Sequence, residues 1–237
     1  MGWLTRLWRR PVLDADQRQA LAVHSATEPM AGTAPLSTLR IVVADVETSG
    51  LDPLHDRLLS IGSVDYCAGK VLPASAFSVV LRQREVSSTG NILIHGIGGS
   101  TQLAGLDPAK ALLMFLEHVG PAPLAGFNAD FDRMVISRAL EQTLATTLRN
   151  AWLDLAWLAP ALLPAPAKSR NRAAPATLDD WAVQYGIVNE SRHDAVADAA
   201  ATAQLLQVVL AAAASAGLRS LDDLLGLEKG QRWLARR

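Results

Sequence analysis

The sequence predicts an α/β domain, and three observations lead there. The first is Ile41-Val-Val-Ala-Asp45-Val-Glu47-Thr-Ser-Gly50, an apolar, β-branched run that enters two carboxylates and then a turn, as a buried strand does at its end. The second is a pair of further strand-like runs, Arg57 to Cys67 and Val71 to Arg82, joined by the tight turn Ala68-Gly69-Lys70. Links of hairpin length imply an antiparallel meander. The third is a change of period beyond residue 107. Pro108 to Val119 reads as a helix, Ala122 to Phe127 as a short buried strand, and a helix starts near Asn128 and runs to about Leu148.

The remaining elements follow the same rules. Asn91 to Gly99 reads as a glycine-rich loop holding His95, and Trp152 to Trp157 as a short strand or a turn. Ala159 to Ala176, rich in Pro and Ala with Lys168, Arg170 and Arg172, reads as a mobile loop. Thr177, with Asp180 three residues on, caps a helix that Gly186 ends. A long Ala/Leu helix spans about Asp194 to Ala216 and a last helical segment Ser220 to Leu234. Residues 1–38 are expected to be an extension and linker, 39–216 the domain and 217–237 a helical tail.

A chain of 237 residues, 50% hydrophobic, can bury one sizeable core. A formal charge of −1 excludes a global basic field. A nucleic-acid partner would have to be met by metal ions and by local groups such as Arg57, Arg133 and Arg170. The lone Cys67 excludes an internal disulfide and a cysteine-based zinc site. No apolar run approaches the roughly 18 residues of a membrane span, and the N-terminus lacks the continuous apolar core of a secretory signal. A cytoplasmic location is the expectation. Trp3 and Trp8 interleave with Arg6, Arg9 and Arg10, a segment that packs back on its own domain or contacts another protein, nucleic acid or a membrane surface.

The chemistry sits in three segments. Residues i and i+2 of a strand share a face, so Asp45 and Glu47 project together. Two carboxylates at a buried strand end repel each other and lose solvation, and a divalent cation is the usual compensation. In Gly126-Phe-Asn128-Ala-Asp130-Phe-Asp132 a buried strand gives way to a helix with acids in its first turn, which also suits the helix dipole. In His193-Asp194-Ala-Val-Ala-Asp198-Ala-Ala-Ala-Thr202 the histidine precedes a helix whose Asp198 and Thr202 share a face. Carboxylates converging from a strand and two helices could hold two hard cations, Mg²⁺ or Mn²⁺, through oxygen. Such a pair stabilises the attacking and leaving oxygens of an in-line displacement at phosphorus.

In this order and spacing the segments resemble the DnaQ-like 3′–5′ exonucleases, the histidine-bearing (DEDDh) branch of the DEDD superfamily, over about Leu39 to Leu210. That family includes the proofreading subunit of replicative polymerases and ribonuclease T. The resemblance implies a ribonuclease H-like mixed β-sheet flanked by α-helices, and places Asp45, Glu47, Asp132 and Asp198 on the metal-binding carboxylates and His193 on the general base. It implies that Thr48, Ser49, Gly50 and Leu51 hold the terminal nucleotide, Leu51 as a wedge, with His95 and Asn128 near the same pocket. Asp130 and Asp194 fall on variable positions, and Phe127 departs from the histidine many relatives carry before Asn-Ala. The expected activity is hydrolysis from a free 3′ end to nucleoside 5′-monophosphates, on DNA in proofreading or repair. RNA 3′-end trimming and oligoribonuclease-like action stay open, because the metal chemistry does not read the 2′-OH. A non-catalytic, polymerase-associated binding module is disfavoured by the intact carboxylates and histidine.

Overall fold

The computed structural model describes residues 12–166, 176–189 and 191–236. The expectations for Trp3, Trp8 and their neighbouring arginines and for Lys168, Arg170 and Arg172 fall outside the described residues. The chain runs α1 (Ala15–Ala26), β1 (Ile41–Thr48), β2 (Leu58–Cys67), β3 (Lys70–Val80), α2 (Thr89–His95), α3 (Gly99–Ala104), α4 (Pro108–Val119), β4 (Leu124–Gly126), α5 (Ala129–Leu144), β5 (Trp152–Asp154), α6 (Leu155–Leu162), α7 (Leu178–Tyr185), α8 (Ala195–Ser215) and α9 (Leu221–Leu234).

The strands form one sheet in the order β3-β2-β1-β4-β5. The hairpin strands pair antiparallel, as their short links require, while β4 and β5 add parallel to β1 through helical crossovers. This is the ribonuclease H-like mixed sheet. β1 lies at its centre and is buried through Ala44. Alternation sends Ile41 and Val43 into a core with α6, α7, α8 and α9, around Leu158, Trp181, Leu206, Val209 and Leu224. Val42, Ala44 and Val46 face the other core, with Phe115, Leu116, Ile136 and Leu140 of α4 and α5. Each Leu or Ile buried in this way contributes about 1.5–3 kcal/mol relative to exposure. Asp45 and Glu47 continue the Ile41–Val43 face, so they emerge beneath α8.

Four readings change. The run from Ala159, read as a loop, opens inside a helix, α6, which reaches Leu162. His95 lies not on a loop but at the end of α2, which Ser88 caps through Asn91 N–H and Gly96 terminates at φ 68°; short helices of this kind carry no apolar period long enough to show. The segments flanking 39–216 do not stand apart from it. Leu36 enters one core, Leu13 and Leu21 pack against the other, and Leu221 and Leu224 of α9 are buried. Pro35 bridges to Ser220, which ties the two flanks together. Finally, α8 is long and apolar enough to cross a membrane by length and composition, a run the sequence reading passed over. Here it lies on the sheet with Ala199, Ala203, Leu206 and Val209 fully buried.

Candidate active site

The site forms where β1 ends. Asp45 pairs with Gly62 of β2, and the start of α8 rests on that glycine. A Cβ at position 62 would stand 2.3 Å from the carbonyl carbon of Ala195 and the nitrogen of Val196. Only a residue without a side chain admits so close a crossing. One turn into α8, Asp198 then faces the strand end: oxygens of Asp45, Glu47 and Asp198 lie within 4.8 Å of one another.

Asp132, on the first turn of α5, is 4% exposed. It is not part of that three-carboxylate group, but it accepts hydrogen bonds from the Val46 N–H and its own, and its charge acts on Asp45. Burial, then the charges of Asp132, Asp198 and Glu47, raise Asp45 well above the ordinary carboxylate range. Burial followed by Asp198 and Asp194 pushes Glu47 up to about 8. Burial raises Asp132 too, against the two backbone N–H groups. Among the described residues no basic side chain forms an ion pair with any of the four. Clustered, desolvated and uncompensated oxygens are the donor set that hard divalent cations fit.

His193 is exposed at the mouth, in the left-handed conformation at φ 63°. Its backbone N–H donates to Asp198 at 2.9 Å, and Asn189 donates its side-chain amide to the same carboxylate. Asp194 caps α8 by accepting from Val196 and Ala197 N–H. His193 shares a cleft of about 410 Å³ with Leu93, Ile94, His95 and Ile97 of the α2 region. His95 accepts from Ile97 N–H through Nδ1, while its Nε2 is buried with no hydrogen-bond partner among the described residues.

The turn after β1 is fixed by Asp56. Its carboxylate accepts from the Ser49 hydroxyl and Asp52 N–H and packs on Gly50, while Thr48 donates its hydroxyl to the Gly50 carbonyl. Leu51 projects from this turn 91% exposed. Asn128 is exposed at the start of α5 with φ 60°, and its backbone N–H donates to Asp154. Of the basic groups expected to meet phosphate, Arg57 donates to the Glu85 carbonyl and Arg133 pairs with Asp130. Sequence reasoning missed Gly62, Asn189 and Asp154. A polar residue closing the short buried run Trp152–Asp154 was the one signal available, and it pointed to Asp154 alone.

A carboxylate cluster at the end of a ribonuclease H-like sheet is a donor set that fits the site of a two-metal nuclease. The chain belongs to the exonuclease family named for RNase T, whose model, described as Exonuclease, matches residues 42–206. It is 28% identical over 207 residues to a DNA polymerase III PolC-type protein of Latilactobacillus sakei, covering 81% of this chain and 13% of that one. It is 27% identical to a DNA polymerase III subunit epsilon-like protein of Rhodobacter capsulatus, over 81% of this chain and 26% of the relative. The chain thus spans only a small part of the length of these relatives. Among solved structures, E. coli Exonuclease I in complex with a dT13 oligonucleotide superposes with a TM-score of 0.61 at 21% identity, over 75% of this chain and 42% of that one. Exonuclease I from Methylocaldum szegediense gives 0.60 at 22% identity, over 72% and 40%. At these identities the two structures speak for the fold.

Proposed function

We propose that this chain hydrolyses nucleic acid from a free 3′ end, one nucleoside 5′-monophosphate at a time, with DNA as the favoured substrate. The observation that carries the reading is the convergence of Asp45, Glu47 and Asp198 within 4.8 Å, with Asp132 beside them. In this reading the four carboxylates hold two divalent cations, Mg²⁺ or Mn²⁺, which supply a charge centre for the attacking and leaving oxygens at phosphorus.

The chain's own residues do the rest. The Thr48–Leu51 turn, held by Asp56, receives the terminal nucleotide, and exposed Leu51 wedges against a base. His193, exposed and anchored by its backbone to Asp198, takes a proton from the attacking water. The water oxygen bonds to phosphorus, the bond from phosphorus to the preceding 3′ oxygen breaks, and that oxygen leaves as a hydroxyl after taking a proton from solvent. The preference for DNA is supported by the DNA polymerase names of the relatives and by the oligonucleotide in the E. coli Exonuclease I complex. A polymerase or another protein is a partner this reading allows for residues 1–38.

The test is digestion of matched single- and double-stranded DNA and RNA, labelled internally and at either end. Stepwise mononucleotide release from the 3′ end, abolished by chelator and restored by Mg²⁺ or Mn²⁺, is expected, faster on DNA. Release from the 5′ end, or full activity in excess chelator, would overturn it. Faster release from RNA would move the substrate to RNA 3′ ends.

A further inference from the structure

The C-terminal helix α9 lies beyond the residues matched by the exonuclease family, 42–206, yet it reaches the back of the site. Arg232 is its contact. The guanidinium donates to Asp154 Oδ2 at 3.0 Å through Nη2, to Glu228 Oε1 at 2.8 Å through Nε, and to Asp130 through Nη1. It also stands 5.2 Å from the ring centre of Trp157. Glu228, one turn earlier, accepts from the backbone N–H of Asp154 at 2.9 Å. Asp154 is therefore held by α9 through both its backbone and its side chain, at 3% exposure.

The other oxygen of Asp154 faces the site. Oδ1 accepts from Asn128 N–H at 3.0 Å, where the chain turns through a left-handed residue into α5, and from Ala156 N–H at 3.0 Å. Asn128 has no side-chain cap of its own, so Asp154 supplies the acceptor that this helix start lacks. Asp130 and Asp132 follow within the first turn. A buried carboxylate keeps such a role only while its charge is compensated. One planar, five-donor guanidinium serving three carboxylates does that, and an ammonium group does not match its geometry.

We propose that Arg232 is a positioning residue, which acts through Asp154 to fix the start of α5 and thereby Asp132 within the carboxylate centre. The proposal rests on reading that centre as the metal site. Residues that orient metal ligands from behind cost about tenfold to a hundredfold in metal affinity or activity when replaced.

The experiment uses the intact chain without nucleic acid and follows Mn²⁺ binding by electron paramagnetic resonance, alongside steady-state hydrolysis of a 3′-labelled oligonucleotide. R232M should weaken Mn²⁺ binding about tenfold to a hundredfold. R232K, the milder change, should fall between it and the unaltered chain. The loss in kcat should be recovered by raising Mn²⁺, with the variant's melting temperature in chelator well above the assay temperature, so that recovery does not come from refolding a loosened chain. D154A should resemble R232M, and the double variant should be no worse than the poorer single one. Unchanged Mn²⁺ affinity in both R232M and R232K, or additive effects of D154A and R232M, would overturn the proposal. D45N separates the two levels: if the unaltered chain binds Mn²⁺ no better than D45N, the metal-site reading itself falls, and this proposal with it.

Discussion

Asp198 accepts the backbone N–H of His193 at 2.9 Å. One side chain thus does two things: it faces Asp45 and Glu47, and it holds the left-handed turn from which His193 projects. Asp198→Asn keeps an acceptor for that N–H while removing the charge. It should abolish Mn²⁺ binding with a melting temperature at or above that of the unaltered chain under chelator, because mutual repulsion among the carboxylates is relieved. Asp198→Ala should abolish binding as well, and melt lower than Asp198→Asn by the loss of a hydrogen bond to a neutral acceptor, about 0.5–1.5 kcal/mol. Equal melting of the two would show that the His193 turn does not depend on Asp198.

His193 and Asp194 are neighbours with different work. His193→Ala should leave Mn²⁺ affinity close to that of the unaltered chain and slow hydrolysis by roughly 10²–10⁴-fold. Asp194→Ala removes the cap of α8, at a cost of about 0.5–2 kcal/mol in stability. Its rate well below the melting point should fall far less than that of His193→Ala. Near-full activity in His193→Ala would place the base elsewhere.

Gly62 sets the distance between β2 and α8. Gly62→Ala introduces a methyl group 2.3 Å from the backbone at Ala195 and Val196, which must move. Destabilisation of about 1–3 kcal/mol is expected from overpacking alone. Because α8 carries Asp198, Mn²⁺ binding should weaken with it. A variant that melts lower but binds Mn²⁺ normally would show that α8 can shift without opening the carboxylate centre.

The raised carboxylates make stability depend on pH and metal together. The folded chain binds a proton on Glu47 up to about pH 8, whereas an ordinary glutamate releases it near 4.5. A pKa raised by folding gives stability that is fully present below the unfolded value and lost as pH rises through the folded one. Asp45 and Asp132 shift in the same direction. In chelator, the contribution of these groups should therefore decline between about pH 4.5 and 8. Added Mn²⁺ or Mg²⁺ binds the deprotonated set, so the rise in melting temperature that metal confers should grow over the same interval. Melting curves from pH 5 to 9 with and without metal decide it, and a metal increment independent of pH would contradict the assignment.

What the sequence determined by itself was local. A β-branched run with acids at i and i+2 was enough to place Asp45 and Glu47 on one face, because side chains of a strand alternate with period two. The Ala/Leu helix from Ala195 to Ser215, its Asp194 start and the capping box of α7 at Thr177 were legible for the same reason, since helix caps and periods are written within a few residues. The resemblance over three segments named the four carboxylates and His193, but not how they meet. Tertiary structure decided that. Gly62 reads as an ordinary strand glycine until α8 is laid on it, and Asp154 and Arg232, 78 residues apart, become partners only when α9 folds back. Likewise Leu13, Leu36, Leu221 and Leu224 look like residues of flanking segments, yet they complete the two cores. Burial is a property of what packs on a residue from elsewhere in the chain, so no window of sequence contains it.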